Sequence, residues 1–336
     1  MYSHYSRLAT HAVSYLILAA TFAMTTTISH ALDIQGHRGA RGLAPENTLP
    51  AFARALGIGV TTLELDCAIT KDAVVVVSHD PALNPDITRG PDGEWLDKSG
   101  LAIWSLTYAE IQRYDVGRVN PASAYAKRWP EQRPVDGTRI PRLADLFALV
   151  RKAGNETVRF NIETKISPLE PGVTNAAEDF ARKLVAAIRA GGMSRRAAIQ
   201  SFDWRTLAIV QKEAPEIATV YLTSVSGFMD NIQADGVSPW TAGHRVRDHG
   251  GSIPRMIKAA GGAVWSPYQG DLTREAVKEA QALGLRVVVW TVNEPADMRR
   301  MIEWGVDGII SDRPDLLRKA AGELGVALPQ RTPVAP

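Results

Sequence analysis

Nine apolar, β-branched runs punctuate the chain, and helical patterns fill most of the gaps between them. The runs are Asp33–Gly36, Thr61–Asp66, Val74–Ser78, Val158–Ile162, Ala198–Phe202, Ala218–Leu222, Ala263–Ser266, Val287–Val292 and Gly308–Ser311. Each is short and bounded by breakers, as strands are. In one gap Phe180, Leu184 and Ile188 recur at the helical period, leaving Arg182, Lys183 and Arg189 for the wet face. Strand–helix alternation predicts a parallel sheet. Repeated over the whole length, it predicts an α/β fold of the (β/α)8 kind, a TIM barrel. Nine runs are one too many for eight barrel strands. The gap from Asp66 to Val74 is too short for a helical crossover, so the Val74–Ser78 run is expected to return antiparallel, as a β-hairpin extension after strand 2 that brings His79 back to the barrel mouth.

Between about 81 and 139 the periodicity lapses. Breakers crowd this long inserted loop region (Pro85, Gly90, Pro91, Gly93, Pro121, Pro130 and Pro134), with one short helix over 108–113. An insertion of this size in a compact domain is expected to shape or cover a binding site. A smaller irregular segment spans 224–254, and the C-terminal tail, 321–336, ends among Pro329, Pro333 and Pro336 and is expected to be flexible. At the other end, Arg7 lies in a short polar start, an apolar run follows from Ala12 to Met24, and Ser29-His30-Ala31 supplies small residues where a signal peptidase reads. That run is short for a bilayer, so residues 1–31 read as a cleaved signal peptide rather than an anchor, and the protein as exported, periplasmic or secreted. Residues 32–320 then form the one domain.

Without that leader, 37 basic residues face 36 acidic ones. Such balance offers nothing to nucleic acid or an anionic membrane, and no later run suggests stable membrane insertion. Cys67 is the only cysteine, which excludes an internal disulfide. Four histidines remain, and two of them, His37 and His79, sit at predicted strand ends beside a charged residue.

Strand ends are where parallel α/β proteins gather reactive groups. Glu64 and Asp66 lie two apart on a strand and so point to the same side, the barrel interior; Asn161, Glu163 and Lys165 repeat that parity on the next barrel strand. The carboxylates Glu64, Asp66 and Glu163 make an oxygen-rich site suited to Ca²⁺ or Mg²⁺, whereas no Cys/His spacing suits zinc. The competing account is a salt-bridge network neutralised by Arg38 and Lys165. Two imidazoles can serve as base and acid in cleaving a phosphodiester near neutral pH, and Arg38 and Lys165 can hold its oxygens. Gly39 allows the chain to bend after the strand, either Asn47 or Thr48 can cap the following helix, and Glu46 would add acceptor density. Cys67 faces the helices as an inert thiol; His244 and His249 read as solvated. Among the aromatics, Trp290, Tyr268 and Trp265 are candidates for a substrate wall.

These pieces, in order, resemble the glycerophosphodiester phosphodiesterase family, its exported bacterial members in particular. The matching residues are His37-Arg38-Gly39, Pro45-Glu46-Asn47-Thr48, Glu64-Leu65-Asp66, Thr70-Lys71-Asp72, His79-Asp80, Leu106-Thr107, Asp115-Val116-Gly117, Ile140-Pro141, Ile162-Glu163-Thr164-Lys165, Gln200-Ser201-Phe202, Trp290-Thr291-Val292-Asn293 and Gly305 to Asp312. The resemblance implies a (β/α)8 barrel that hydrolyses glycerophosphodiesters to an alcohol and sn-glycerol 3-phosphate. It places the cation on Glu64, Asp66 and Glu163, the acid and base on His37 and His79, and substrate contacts on Arg38 and Lys165. Ala73 stands where a glycine is common, and the His244–Gly251 region matches nothing in the pattern. The nearest alternative is a phospholipase-D-like or lysophospholipase-D-like member of the same superfamily; a more distant one is a non-catalytic exported binder of phosphorylated polyols.

Overall fold

The computed structural model describes residues 32–98 and 100–336, so the leader segment read at 1–31 lies outside the described residues. Nine strands form one sheet: β1 (Asp33–Gly36), β2 (Thr62–Ile69), β3 (Val75–Val77), β4 (Arg159–Thr164), β5 (Ala197–Ser201), β6 (Ala218–Thr223), β7 (Val264–Pro267), β8 (Arg286–Val289) and β9 (Gly308–Ser311). Eight of them run parallel, and β1 pairs with both β2 and β9, which closes the barrel. The ninth, β3, is the antiparallel hairpin partner of β2. The helices are α1 (Leu49–Ile58), α2 (Tyr108–Ile111), α3 (Leu143–Lys152), α4 (Ala177–Ala190), α5 (Trp204–Glu213), α6 (Ile253–Ala259), α7 (Arg274–Ala282), α8 (Pro295–Glu303) and α9 (Pro314–Glu323). All but α2 cover the barrel strands as the periodicity requires. The fold is the TIM barrel expected.

The large apolar core lies between strands and helices and includes Cys67, whose thiol burial pushes up above its ordinary pKa. Inside the barrel the two halves differ. Gln35, Glu64, Asn161 and Gln200 line the β1, β2, β4 and β5 side and hydrogen-bond to one another, whereas Val220, Val264, Val288 and Ile310 fill the β6–β9 side. That division continues upward into the site.

The inserted region behaves differently from the expectation that it shapes the cavity. Its apolar residues Leu83, Ile103, Ile111 and Val116 are consumed by packing on Ala68 and Val76 of the hairpin and on Ile140, a satellite core of their own. Among the described residues of this segment, only Pro81 reaches the cavity described below. The tail lies against the helices. Its first part is the end of α9, and beyond that Thr332 N–H donates to Leu56 O (3.0 Å), Asn155 Nδ2 donates to Thr332 Oγ1 (2.9 Å) and Lys152 Nζ donates to Ala335 O (2.9 Å). Val334 packs on the core. These contacts place the tail against α1 and the end of α3.

Candidate active site

The turn after β1 carries the first functional pair. Arg38 has φ 49° and Gly39 φ 85°, both left-handed. A Cβ on Gly39 would come within 2.7 Å of the Ala51 backbone, so only glycine fits there. The strained Arg38 conformation aims its backbone N–H at Glu64 Oε2 (2.8 Å) and its guanidinium at Glu46 Oε1 (2.5 Å) and Asp66 Oδ2 (3.3 Å). Thr48 caps α1, accepting from Ala51 N–H. Asn47, the other capping candidate, instead turns inward and donates to Asp66 Oδ2 at 2.9 Å.

Parallel pairing of β2 with β4 sets Glu64 opposite Asn161 and Asp66 opposite Glu163. Glu64, Asp66 and Glu163 each offer an oxygen within 4.8 Å of the others, all buried. Glu64 accepts from Gln200 Nε2 (2.6 Å), and Glu163 accepts from Lys165 Nζ (2.7 Å). Asp66 Oδ1 is buried with no hydrogen-bond partner among the described residues. Burial raises the Glu64 carboxyl well above its ordinary pKa, with Asp66 adding to the effect, and raises Glu163 to about 7 against the opposing pull of Lys165. Burial acts the same way on Asp66, but the positive charge of His79, Arg38 and Lys165 outweighs it and holds that carboxyl far below its usual range. A buried oxygen with no partner and two carboxylates that resist ionisation are what a hard dication would satisfy, and an all-oxygen donor set suits Ca²⁺ or Mg²⁺. The residues present therefore fit such an ion.

Each histidine has a carboxylate behind it. His37 Nδ1 lies 2.6 Å from Asp312 Oδ1, with Nε2 3.8 Å from Glu64 Oε2. His79 Nδ1 lies 2.9 Å from Asp80 Oδ1, and Asn84 holds that aspartate. Burial lowers the pKa of both imidazoles; Arg38 and Lys165 help to bring His79 to about 4.

His37, Arg38, Glu64, His79, Glu163 and Lys165 all line one cavity of about 590 Å³, and Asp66 lies beneath it within the carboxylate cluster. The strand-end residues singled out from the sequence are thus brought together. Of the proposed wall, Trp290 lines the cavity. Tyr268 does not: its ring packs on Trp290 at 5.5 Å between centroids. Trp265 is buried, its indole N–H given to Thr223 Oγ1. The wall is instead completed by Phe202, Phe228, Met229 and Trp240, with Ile166, Leu169 and Val173 from the loop after β4. His244 and His249 lie outside the cavity, half-buried and near each other. Sequence reasoning missed Arg41, which carried no flag, and the loop after β4, whose apolar residues lack any period. It quoted Asp312 and Gln200 within motifs without giving them roles.

Fold and site together define a barrel enzyme acting on phosphoric diesters. Residues 37–316 match the model of the glycerophosphoryl diester phosphodiesterase family. A glycerophosphodiester phosphodiesterase of Caldanaerobacter subterraneus subsp. tengcongensis is 31% identical over 84% of this chain and 94% of its own. A solved structure from Silicibacter pomeroyi, assigned to the same activity, is 36% identical and superimposes with a TM-score of 0.79 over 88% of this chain and 95% of its own. A human lysophospholipase D is 24% identical over 84% of each chain. An Oleispira antarctica phosphodiesterase, solved with the product sn-glycerol-3-phosphate, is 20% identical and shares the fold with a TM-score of 0.63, covering 88% of this chain and 98% of its own. The chain belongs to the glycerophosphoryl diester phosphodiesterase family and is an enzyme, a phosphoric diester hydrolase.

Proposed function

We propose that the protein hydrolyses small glycerophosphodiesters to an alcohol and sn-glycerol 3-phosphate, with His37 and His79 as the general acid–base pair and a divalent cation, Ca²⁺ or Mg²⁺, on Glu64, Asp66 and Glu163. One observation carries this reading: two carboxylate-backed imidazoles share one cavity with Glu64 and Glu163 of the three-carboxylate cluster, flanked by Arg38 and Lys165. A bound dication would supply Lewis-acid polarisation of the phosphoryl oxygens. Arg38 and Lys165 bring fixed positive charge to where oxygens gain negative charge, worth more in a dry site than in water. One imidazole takes the nucleophile's proton and the other gives one to the departing alkoxide, which would otherwise leave poorly. The match to family members named for this activity supports the reading. The test is turnover of a panel of glycerophosphodiesters after chelation and after re-addition of each cation. Release of glycerol 3-phosphate that chelator stops and a cation restores is expected; chelator-resistant turnover would refute the metal role.

A second reading rests on the apolar wall. Leu169 (62% exposed) and Phe228 (76% exposed) both line the cavity at its solvent side, and Met229, Phe202 and Trp290 continue the apolar surface inward. The irregular loops carry no long apolar run, and folding gathers single apolar residues from several of them instead. This wall suits a substrate whose glycerol phosphate half carries a hydrocarbon tail, as in a lysophospholipid, with the head-group alcohol still the leaving group. Comparing kcat/KM for glycerophosphocholine and lysophosphatidylcholine decides between the two, and Phe228→Ser should lower only the second. No helix among the described residues is long and apolar enough to cross a membrane. Export remains the reading of the leader pattern, checked by whether the mature protein begins at Leu32.

A further inference from the structure

His37 is held in a frame that extends well beyond the cavity. Asp312, just after β9, is buried and ionised: burial would raise its carboxyl, but Arg41 and His37 hold it well below the usual range. A carboxylate only accepts, so the 2.6 Å contact requires His37 Nδ1 to carry the proton. Arg41 Nη2 lies 3.2 Å from the same nitrogen and could donate only to a bare Nδ1, a form that would set two lone-pair atoms against each other at the Asp312 contact. The Nδ1–H form leaves Nε2 bare on the cavity side.

Asp312 is itself fixed from several directions. Arg41 donates Nε to Oδ1 (2.7 Å) and Nη2 to Oδ2 (3.1 Å), Asn293 Nδ2 donates to Oδ2 (2.7 Å), and the Asp312 N–H returns a bond to Asn293 Oδ1 (3.0 Å). Arg41 is then gripped by the inserted region. Its Nη1 donates to Tyr125 Oη (3.2 Å), its guanidinium sits 4.6 Å from the Trp129 ring centroid, and Gln132 Nε2 donates to its carbonyl (2.8 Å). Asp80, behind His79, is a third exposed and is held by Asn84, four residues on.

We propose that Asp312 is the positioning residue that fixes the tautomer and aim of His37, and that the inserted region, through Tyr125, Trp129 and Gln132 on Arg41, is the strap that keeps Asp312 in place. This gives the Ser311-Asp312 motif and the insertion, which barely touches the cavity, a part in the reaction. It rests on the reading of His37 as a proton-transfer group.

The test combines ¹⁵N-histidine NMR of the full chain with kinetics on glycerophosphocholine, the His37 signals being assigned by their loss in His37→Asn. Wild type should show a protonated Nδ1 and a bare Nε2. Asp312→Asn, whose amide can donate to Nδ1, should reverse that tautomer and lower kcat by about 10³–10⁴-fold with KM nearly unchanged. Trp129→Leu should keep the tautomer and lower kcat by about two- to tenfold, since one cation–π contact is lost. Wild-type kcat in Asp312→Asn, or His37 signals unmoved by it, would overturn the proposal. Should that variant not fold, Arg41→Lys decides, because it keeps the charge and loses the fork: a fall in kcat at constant KM supports positioning, and wild-type kcat refutes it. If wild-type enzyme releases no glycerol 3-phosphate, the proposed function fails, whereas the tautomer shift is read independently of turnover.

Discussion

Among the three clustered carboxylates one is held ionised and two are pushed toward neutrality, and a cation would remove that asymmetry. In the cation-free protein Glu163 keeps a proton below about pH 7, because burial raises its pKa, and Glu64 is raised as well. Binding requires the ionised forms, so apparent cation affinity should rise with pH up to about 7, with protons released on binding below it. Titration calorimetry at pH 6 in two buffers of different ionisation enthalpy measures that release; heats that do not depend on the buffer would contradict it. Glu64→Gln should weaken cation binding directly. His37→Ala and His79→Ala should each cost about 10²–10⁴ in kcat, with unfolding midpoints near wild type because neither ring packs in the apolar core; near-normal turnover in either variant would end the acid–base assignment. The catalytic candidates were legible because strand parity and strand ends predict where charged side chains converge. Asn47 was not, since an Asn two residues before a helix reads as a cap until Asp66 is seen beside it.

At the scale of elements, the β2–β3 hairpin is what returns His79 to the mouth. Its turn is closed by Thr70, whose N–H donates to Val74 O (3.0 Å), whose hydroxyl donates to Asp72 (2.6 Å), and whose Oγ1 accepts Val74 N–H (2.9 Å). Ala73 sits there at φ 64°, exposed and left-handed, where a side chain costs about 1–2 kcal/mol. Ala73→Gly removes that cost but adds chain entropy to the unfolded state, for a net gain of up to about 1 kcal/mol. A urea midpoint that rises with the m-value unchanged is expected, and a lower midpoint would show that the turn is unstrained. The hairpin itself was readable because the seven residues between Asp66 and Val74 cannot make a helical crossover. The loop after β4 was not: Ile166, Leu169 and Val173 follow no period, and only the closed barrel turns them toward Phe202 and Trp290 across the opening.

Taken whole, the barrel interior divides into a polar half on β1, β2, β4 and β5, which carries the carboxylate cluster, and an apolar half on β6–β9, which continues into the apolar wall. The tail ties down the face formed by α1 and α3, away from the cavity. Deleting 328–336 removes the Thr332, Pro329 and Ala335 partners of Leu56, Asn155, Arg318 and Lys152, and should cost about 1–3 kcal/mol of stability. KM and kcat should not change. Denaturant titration checks the first statement and kinetics the second; an unaltered midpoint would mean that the tail adds nothing.

Period and spacing in the chain were enough to give the barrel and its hairpin and to single out two histidines and three acids as candidates, because side-chain alternation and crossover length are local properties that any chain carries in one dimension. Tertiary structure alone decided that Asp312 and Arg41 back His37, that the insertion braces a loop rather than roofing the cavity, and that one wall is apolar. Those contacts join residues up to 275 positions apart, and no local period records which distant segments the closure of the barrel will bring face to face.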